Sequence, residues 1–307
     1  SLTDGQIAFY MKAVLDAEVQ NPGRGEKFVR RNYPCTETEA FLTGGWCPFP
    51  ERALDYLERR IERPVVEGEV VGERIEWKRG GRLRIWEKPS EDTSYLLGAD
   101  VGSGVGASQS AIEIFAYPGY RQVAEWASEW VDSKSFARII RVIASFFPNC
   151  IVAIEINNEG ILTNATLESE YPFLYRWKYF SSKQQPPTKR FGWQTTQETK
   201  SLMVSHMCTL LAQDPPEIKI RSPQLIAQMR TFQEVGERIF RPAPDCLNDL
   251  NMASMIACVC IFLEYARYGL GPVYQEKHVE PDYRAGHIDN WRPGDNLFSP
   301  LDTWTLI

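Results

Sequence analysis

Three carboxylates stand where a charge is hard to keep. Asp100 follows the apolar run Tyr95-Leu96-Leu97-Gly98-Ala99, and Glu155 follows Cys150-Ile151-Val152-Ala153-Ile154. Asp249 opens onto Leu250-Asn251-Met252-Ala253, the start of a long apolar segment. A carboxylate among apolar neighbours is unfavourable unless it is paired or bound to a cation. Two side by side repel, and a divalent ion relieves that repulsion. Oxygen-only donors suit Mg²⁺ or Mn²⁺. Asp245, one helical turn before Asp249, and Asn248 are the second choices of ligand. Asp245 equally suits a helix N-cap, a structural task, whereas capping does not account for Asp249 further in.

Other chemistries find little support. His206, His278 and His287 are scattered, and the seven cysteines include no CxxC pair, so zinc is not expected. Cys258 and Cys260 sit in an apolar run and read as small buried thiols of a reducing compartment. Gly102-Ser103-Gly104-Val105-Gly106 precedes a strand, and no GxxxxGK[ST] motif occurs, so this chain is not expected to hydrolyse ATP through a phosphate loop. Residues 171–197 carry Arg176, Lys178, Lys183, Lys189 and Arg190 with no acid, interleaved with aromatics. Such a stretch suits nucleic-acid contact, cations on phosphates and rings on bases. The same alternation also fits a hairpin with an apolar inner face and a solvated outer one.

The elements that must position the acids follow from periodicity. Residues 95–101 predict a buried strand, 110–117 a second strand after a Gly-rich turn, and 123–131 a third. Phe136, Ile139, Ile140, Ile143 and Phe147 recur at helical spacing after the candidate caps Asp132 and Ser133, and Pro148 stops that helix. Residues 150–155 predict a fourth strand; 160–170, 199–212 and roughly 246–266 predict helices. The order β-β-β-α-β-α is that of an RNase H-like α/β fold: a mixed sheet whose first three strands are antiparallel, with helices on both faces. In that order the first and fourth strands are neighbours, which brings Asp100 beside Glu155.

The chain has 307 residues and a net charge of −6, which excludes a globally basic nucleic-acid binder but not a local basic patch. No apolar run is long enough to span a membrane, and no signal peptide is visible. Residues 1–90 read as a mixed, α-rich or irregular extension with a solvated charged face, 91–268 as the α/β unit, and 269–307 as a Gly/Pro/Asp-rich tail.

The blocks Gly98-Ala99-Asp100-Val101-Gly102, Val152-Ala153-Ile154-Glu155-Ile156-Asn157-Asn158-Glu159-Gly160, Phe191-Gly192-Trp193-Gln194-Thr195-Thr196 with Thr199-Lys200, and Asn248-Asp249-Leu250-Asn251 together resemble the nuclease domain of tailed-phage large terminases. Phe28-Val29-Arg30-Arg31-Asn32-Tyr33-Pro34 is similar to the segment where that family's ATPase domain hands over to the nuclease. The resemblance implies an endonuclease that cuts concatemeric double-stranded viral DNA during packaging, in the host cytoplasm. Asp100, Glu155 and Asp249 match the metal-binding acids. Two Mg²⁺ or Mn²⁺ ions are implied, Asp100 bridging them, with Lys200 near a phosphate. The implied partners are the portal or procapsid, the small terminase subunit and the ATPase domain of the same protein; the full-length family protein is also an ATPase. Two departures stand out: Asn248-Asp249 where the family often has two aspartates, and Ser108-Gln109 where some members carry an acid. The alternatives are an actin-like or sugar-kinase-like ATP-binding domain, which needs a second Gly-rich phosphate hairpin not found downstream, and a catalytically silent docking module.

Overall fold

The computed structural model describes residues 3–20, 25, 29, 33, 45–103, 108–157, 159–177 and 191–266. The Gly104–Gly106 turn, Asn158, Lys178, Lys183, Lys189, Arg190 and the 269–307 tail lie outside the described residues. The described strands are β1 (Val66–Val71), β2 (Arg74–Trp77), β3 (Leu83–Ile85), β4 (Ser94–Asp100), β5 (Ser110–Tyr117), β6 (Arg121–Ser128) and β7 (Ile151–Ile154), with a separate hairpin of β8 (Phe232–Gly236) and β9 (Ile239–Pro242). The helices are α1 (Asp4–Gln20), α2 (Glu51–Glu58), α3 (Ser133–Phe146), α4 (Gly160–Glu168), α5 (Gln197–Ala212), α6 (Pro223–Thr231) and α7 (Asp249–Ile261), the last running into a π-turn at Phe262–Ala266.

Seven strands form one mixed sheet in the order β2-β1-β3-β6-β5-β4-β7. β4, β5 and β6 pair antiparallel, and β7 joins β4 in parallel, as the sequence pattern predicts. The sheet also reaches across the expected boundary at residue 90: β3 pairs with β6 and carries β1 and β2 with it. Residue 69, expected on a solvated face, belongs to this extension, and Glu69 there accepts a 2.9 Å hydrogen bond from Arg82.

Side chains along β4 alternate between two cores. Leu96 packs with α5, α6 and α7 on one face, while Leu97 packs with Phe136, Ile140 and Ile143 of α3 on the other. Asp132 caps α3, its Oδ1 accepting from the N–H groups of Lys134 and Ser135. α7 lies directly on the sheet because Gly98 has no side chain: a Cβ there would stand 2.1 Å from the carbonyl oxygen of Ala253.

One feature of the sheet was not legible in the alternation. Glu113 of β5 and Glu125 of β6 are cross-strand partners, and both are fully buried. Gln122 Nε2 donates to Glu113 Oε2 at 2.8 Å, and Arg84 Nη1 donates to Glu125 Oε1 at 2.5 Å. Glu113 Oε1 and Glu125 Oε2 have no hydrogen-bond partner as unprotonated oxygens. A single proton on Glu113 makes one a donor to the other and satisfies both. Burial, and then the Glu125 charge, hold the Glu113 carboxyl well above its usual range. The folded state therefore keeps this proton more tightly than the unfolded chain, and the stability it adds fades as pH rises above about 4.5 toward the raised folded value. Gln is a near-isostere of the protonated acid. Urea midpoints are expected to show the parent losing ground to Glu113→Gln as pH rises through that window; parallel pH profiles would refute the shared proton.

Candidate active site

Asp100 is the last residue of β4, and Glu155 follows directly after β7. The parallel register pairs Ala99 with Ile154, and the Glu155 N–H donates to the Ala99 carbonyl at 2.8 Å. The two carboxylates thus emerge at adjoining strand ends, and their carboxyl groups lie within hydrogen-bonding reach of each other. Burial, then the Glu155 charge and the hydrogen bond to it, and then Asp249 push the Asp100 carboxyl well above the ordinary carboxylate range. Loss of hydration comes first, and repulsion by the neighbouring carboxylates adds to it.

Glu155 is held by its own loop. Asn157 Nδ2 donates to Glu155 Oε1 at 3.3 Å and to the Thr195 carbonyl at 2.9 Å. The loop folds back so tightly that a Cβ on Gly160 would lie 1.7 Å from the Glu155 carbonyl oxygen. Gly192, at φ +91°, turns the chain so that buried Trp193 bridges to Glu155 and its N–H donates to the Ile154 carbonyl at 2.7 Å. Thr196, three residues on, caps α5 by accepting from the Thr199 N–H at 3.2 Å, with Thr199 Oγ1 bonding back to the Thr196 N–H. This cap sets the first turns of α5, where Lys200 sits. Burial pulls the Lys200 ammonium below its usual value, while Glu155 and Asp100 pull it the other way.

Asp249 is the first residue of α7, and its Oδ2 accepts from the Gln109 N–H at 3.2 Å. Burial raises this carboxyl first; the Gln109 and local helix N–H groups oppose that, and the Glu155 charge raises it further. The helix begins three residues later than the sequence pattern predicts. Asn248 is its N-cap residue, and the Asn248 Oδ1 accepts from Asn251 Nδ2 at 2.9 Å rather than from the helix backbone. Asp245 is neither the cap nor on the face of Asp249: it sits in a turn before the helix at φ +59° and lines a separate open groove of about 470 Å³. That groove is lined also by Arg82, Arg84, Gln109, Gln224 and Gln228.

Asp100, Glu155, Asp249 and Lys200 therefore interact electrostatically, three acids against one ammonium. Gln109 enters the sequence reading only as a departure at a position where some members of the resembled family carry an acid; its contact with Asp249 was not foreseen. Its type carries no signal, because it acts through its backbone N–H. Arg176 is the one cation of the basic stretch that can be placed: it is exposed, bridges backbone to backbone with Phe191, and holds its guanidinium 5.4 Å from the Phe191 ring centre. The flanking Tyr175 is buried and Trp177 packs edge-on to Trp193.

The donor chemistry fits a hard divalent cation: oxygen ligands only, and mutual repulsion that a cation would relieve. The arrangement is not a finished cage. Among the described residues no three or more His, Cys, Asp or Glu side chains gather closely enough to enclose an ion. Asp100 and Glu155 form a close pair, whereas Asp249 is engaged by Gln109.

Among solved structures, the large terminase nuclease from thermophilic phage G20c superposes over 71% of this chain and 98% of its own, with TM-score 0.50 and 13% sequence identity. The fold is that of a phage large terminase nuclease. The same nuclease with bound magnesium aligns over 67% of this chain and 94% of its own, with TM-score 0.50 and 14% identity. No family model and no curated protein matches the sequence. Among the described residues no helix is long and apolar enough to cross a membrane.

Proposed function

We propose that this chain is a metal-dependent endonuclease that cuts double-stranded viral DNA during genome packaging, as the nuclease portion of a large terminase. The observation that carries this reading is the meeting of Asp100 and Glu155 at adjoining parallel strand ends, with Asp249 facing them from α7, in a terminase-nuclease fold. Asp100, Glu155 and Asp249 would hold Mg²⁺ or Mn²⁺, which would supply Lewis acidity at the phosphate and make a bound water more acidic. Asp100 must lose its proton to bind a cation, so protons and the metal compete for this site. Asn157 and the tight turn at Gly160 keep Glu155 oriented. Lys200 approaches a phosphate from α5 and offsets part of the acid charge in its absence.

DNA is the substrate in this reading, and the portal, the small terminase subunit and the ATPase part of the same protein are the partners. The test is conversion of supercoiled plasmid to nicked and linear forms. Cleavage is expected in Mg²⁺ or Mn²⁺, and is expected to stop on addition of EDTA. No cleavage in Mn²⁺ by chain that binds portal would favour the docking module instead.

A further inference from the structure

Trp130, between β6 and α3, is 73% exposed, more than any other aromatic ring among the described residues. Its place is set by register. Asp100 pairs with Ala111, and Ala111 pairs with Ala127. Two strand spacings put Ala127 about 10 Å from Asp100, and three further residues put Trp130 within about 20 Å of the acids. The turn is anchored at both ends of this edge. Trp130 N–H donates to Ser128 Oγ at 3.3 Å, and Gln109, which holds Asp249, donates through Nε2 to Glu129 at 3.4 Å.

The surface around this ring is apolar and carries charges of both signs. Ser133 Oγ donates to Glu159 Oε2 at 3.2 Å, which brings the start of α4 alongside, and there Ile161 and Leu162 are 62% and 48% exposed. Three acids are close by, each occupied: Glu129 by Gln109, Asp132 as the α3 cap, Glu159 by Ser133. Lys134 and Arg138, one turn apart on α3, are exposed. Acids bound within the protein repel phosphates, so the centre of this patch suits the apolar faces of bases and sugars. The two cations suit the flanking phosphates.

We propose that Trp130 is a DNA-contact residue that packs into the minor groove of the duplex beside the cut, with Lys134 and Arg138 on the neighbouring phosphates. Apolar wedges flanked by basic side chains are a recurrent way to hold duplex DNA by its shape. At 3.4 Å per base pair, a duplex lying over the acids reaches Trp130 within about six base pairs. The inference rests on the nuclease reading, and its test separates the two.

Binding of a fluorescein-labelled duplex to the 307-residue chain is followed by anisotropy in EDTA, where no cutting occurs, and plasmid nicking is followed in Mn²⁺. Trp130→Ala is expected to weaken duplex binding about tenfold, and Trp130→Phe only about twofold. Lys134→Ala is expected to lower the slope of log affinity against log salt by about one, while Trp130→Ala leaves that slope unchanged. If Trp130→Ala binds duplex as tightly as the parent, the proposal is wrong and the patch serves another macromolecule. A parent that binds duplex in a Trp130-dependent way but never nicks it would sink the nuclease reading and leave this contact standing.

Discussion

Asp100→Asn is expected to reduce plasmid cleavage in Mg²⁺ or Mn²⁺ on the order of 10³-fold, while the protein folds at least as well as the parent. The first half follows from position. Asp100 is the acid that both other carboxylates act on, at the end of β4 between β5 and β7. Asn keeps its shape but removes the negative charge a hard cation needs. Losing several kcal/mol of transition-state stabilisation corresponds to about three decades in rate. The second half follows from linkage. A carboxyl raised above its ordinary range adds stability only while protonated, and loses it as pH rises through the folded value. At neutral pH the parent carries that burden and the amide does not, so thermal denaturation of the variant is expected at an equal or higher midpoint. Calorimetric titration with Mn²⁺ gives an independent readout: Asp100→Asn abolishes the binding heat, whereas Asp249→Asn, whose carboxylate is engaged by Gln109, weakens it less. Cleavage by Asp100→Asn at the parent's rate would end the proposed mechanism.

Gly98→Ala is expected to produce the largest loss of stability of any single methyl group added to this sheet. The new Cβ would stand 2.1 Å from the Ala253 carbonyl oxygen and 2.7 Å from the Ala257 nitrogen. Both are backbone atoms of α7, with no flexible end to swing aside, so the helix itself must lift. Overpacking of this kind costs about 3 kcal/mol, or roughly 10 °C of melting temperature for a domain of this size. Because α7 carries Asp249 at its first turn, cleavage is expected to fall along with stability. Gly72→Asn is the control: its φ of +60° is tolerated by Asn, and a Cβ there meets nothing within 4 Å. Scanning calorimetry separates the two, and a Gly98→Ala protein melting with the parent would show that α7 does not rest on β4 as described.

The sequence by itself determined what depends on near neighbours along the chain. Apolar runs marked β4, β5, β6 and β7, Asp132 announced the start of α3, and the order of these elements put Asp100 beside Glu155. These signals are local because strand pleat, helix turn and end-capping each repeat within a few residues. Only the tertiary structure decided the rest. It set the start of α7 at Asp249, because the chain before it turns left-handed at Asp245 and so takes that acid into the groove. It brought the Gln109 N–H to Asp249 across 140 residues of chain. It joined β1 to β3 to the sheet and placed Glu113 against Glu125 inside a run that reads as apolar strand. Each of these is a contact between residues distant in the chain, and no periodicity or spacing carries a record of which distant surfaces close upon one another.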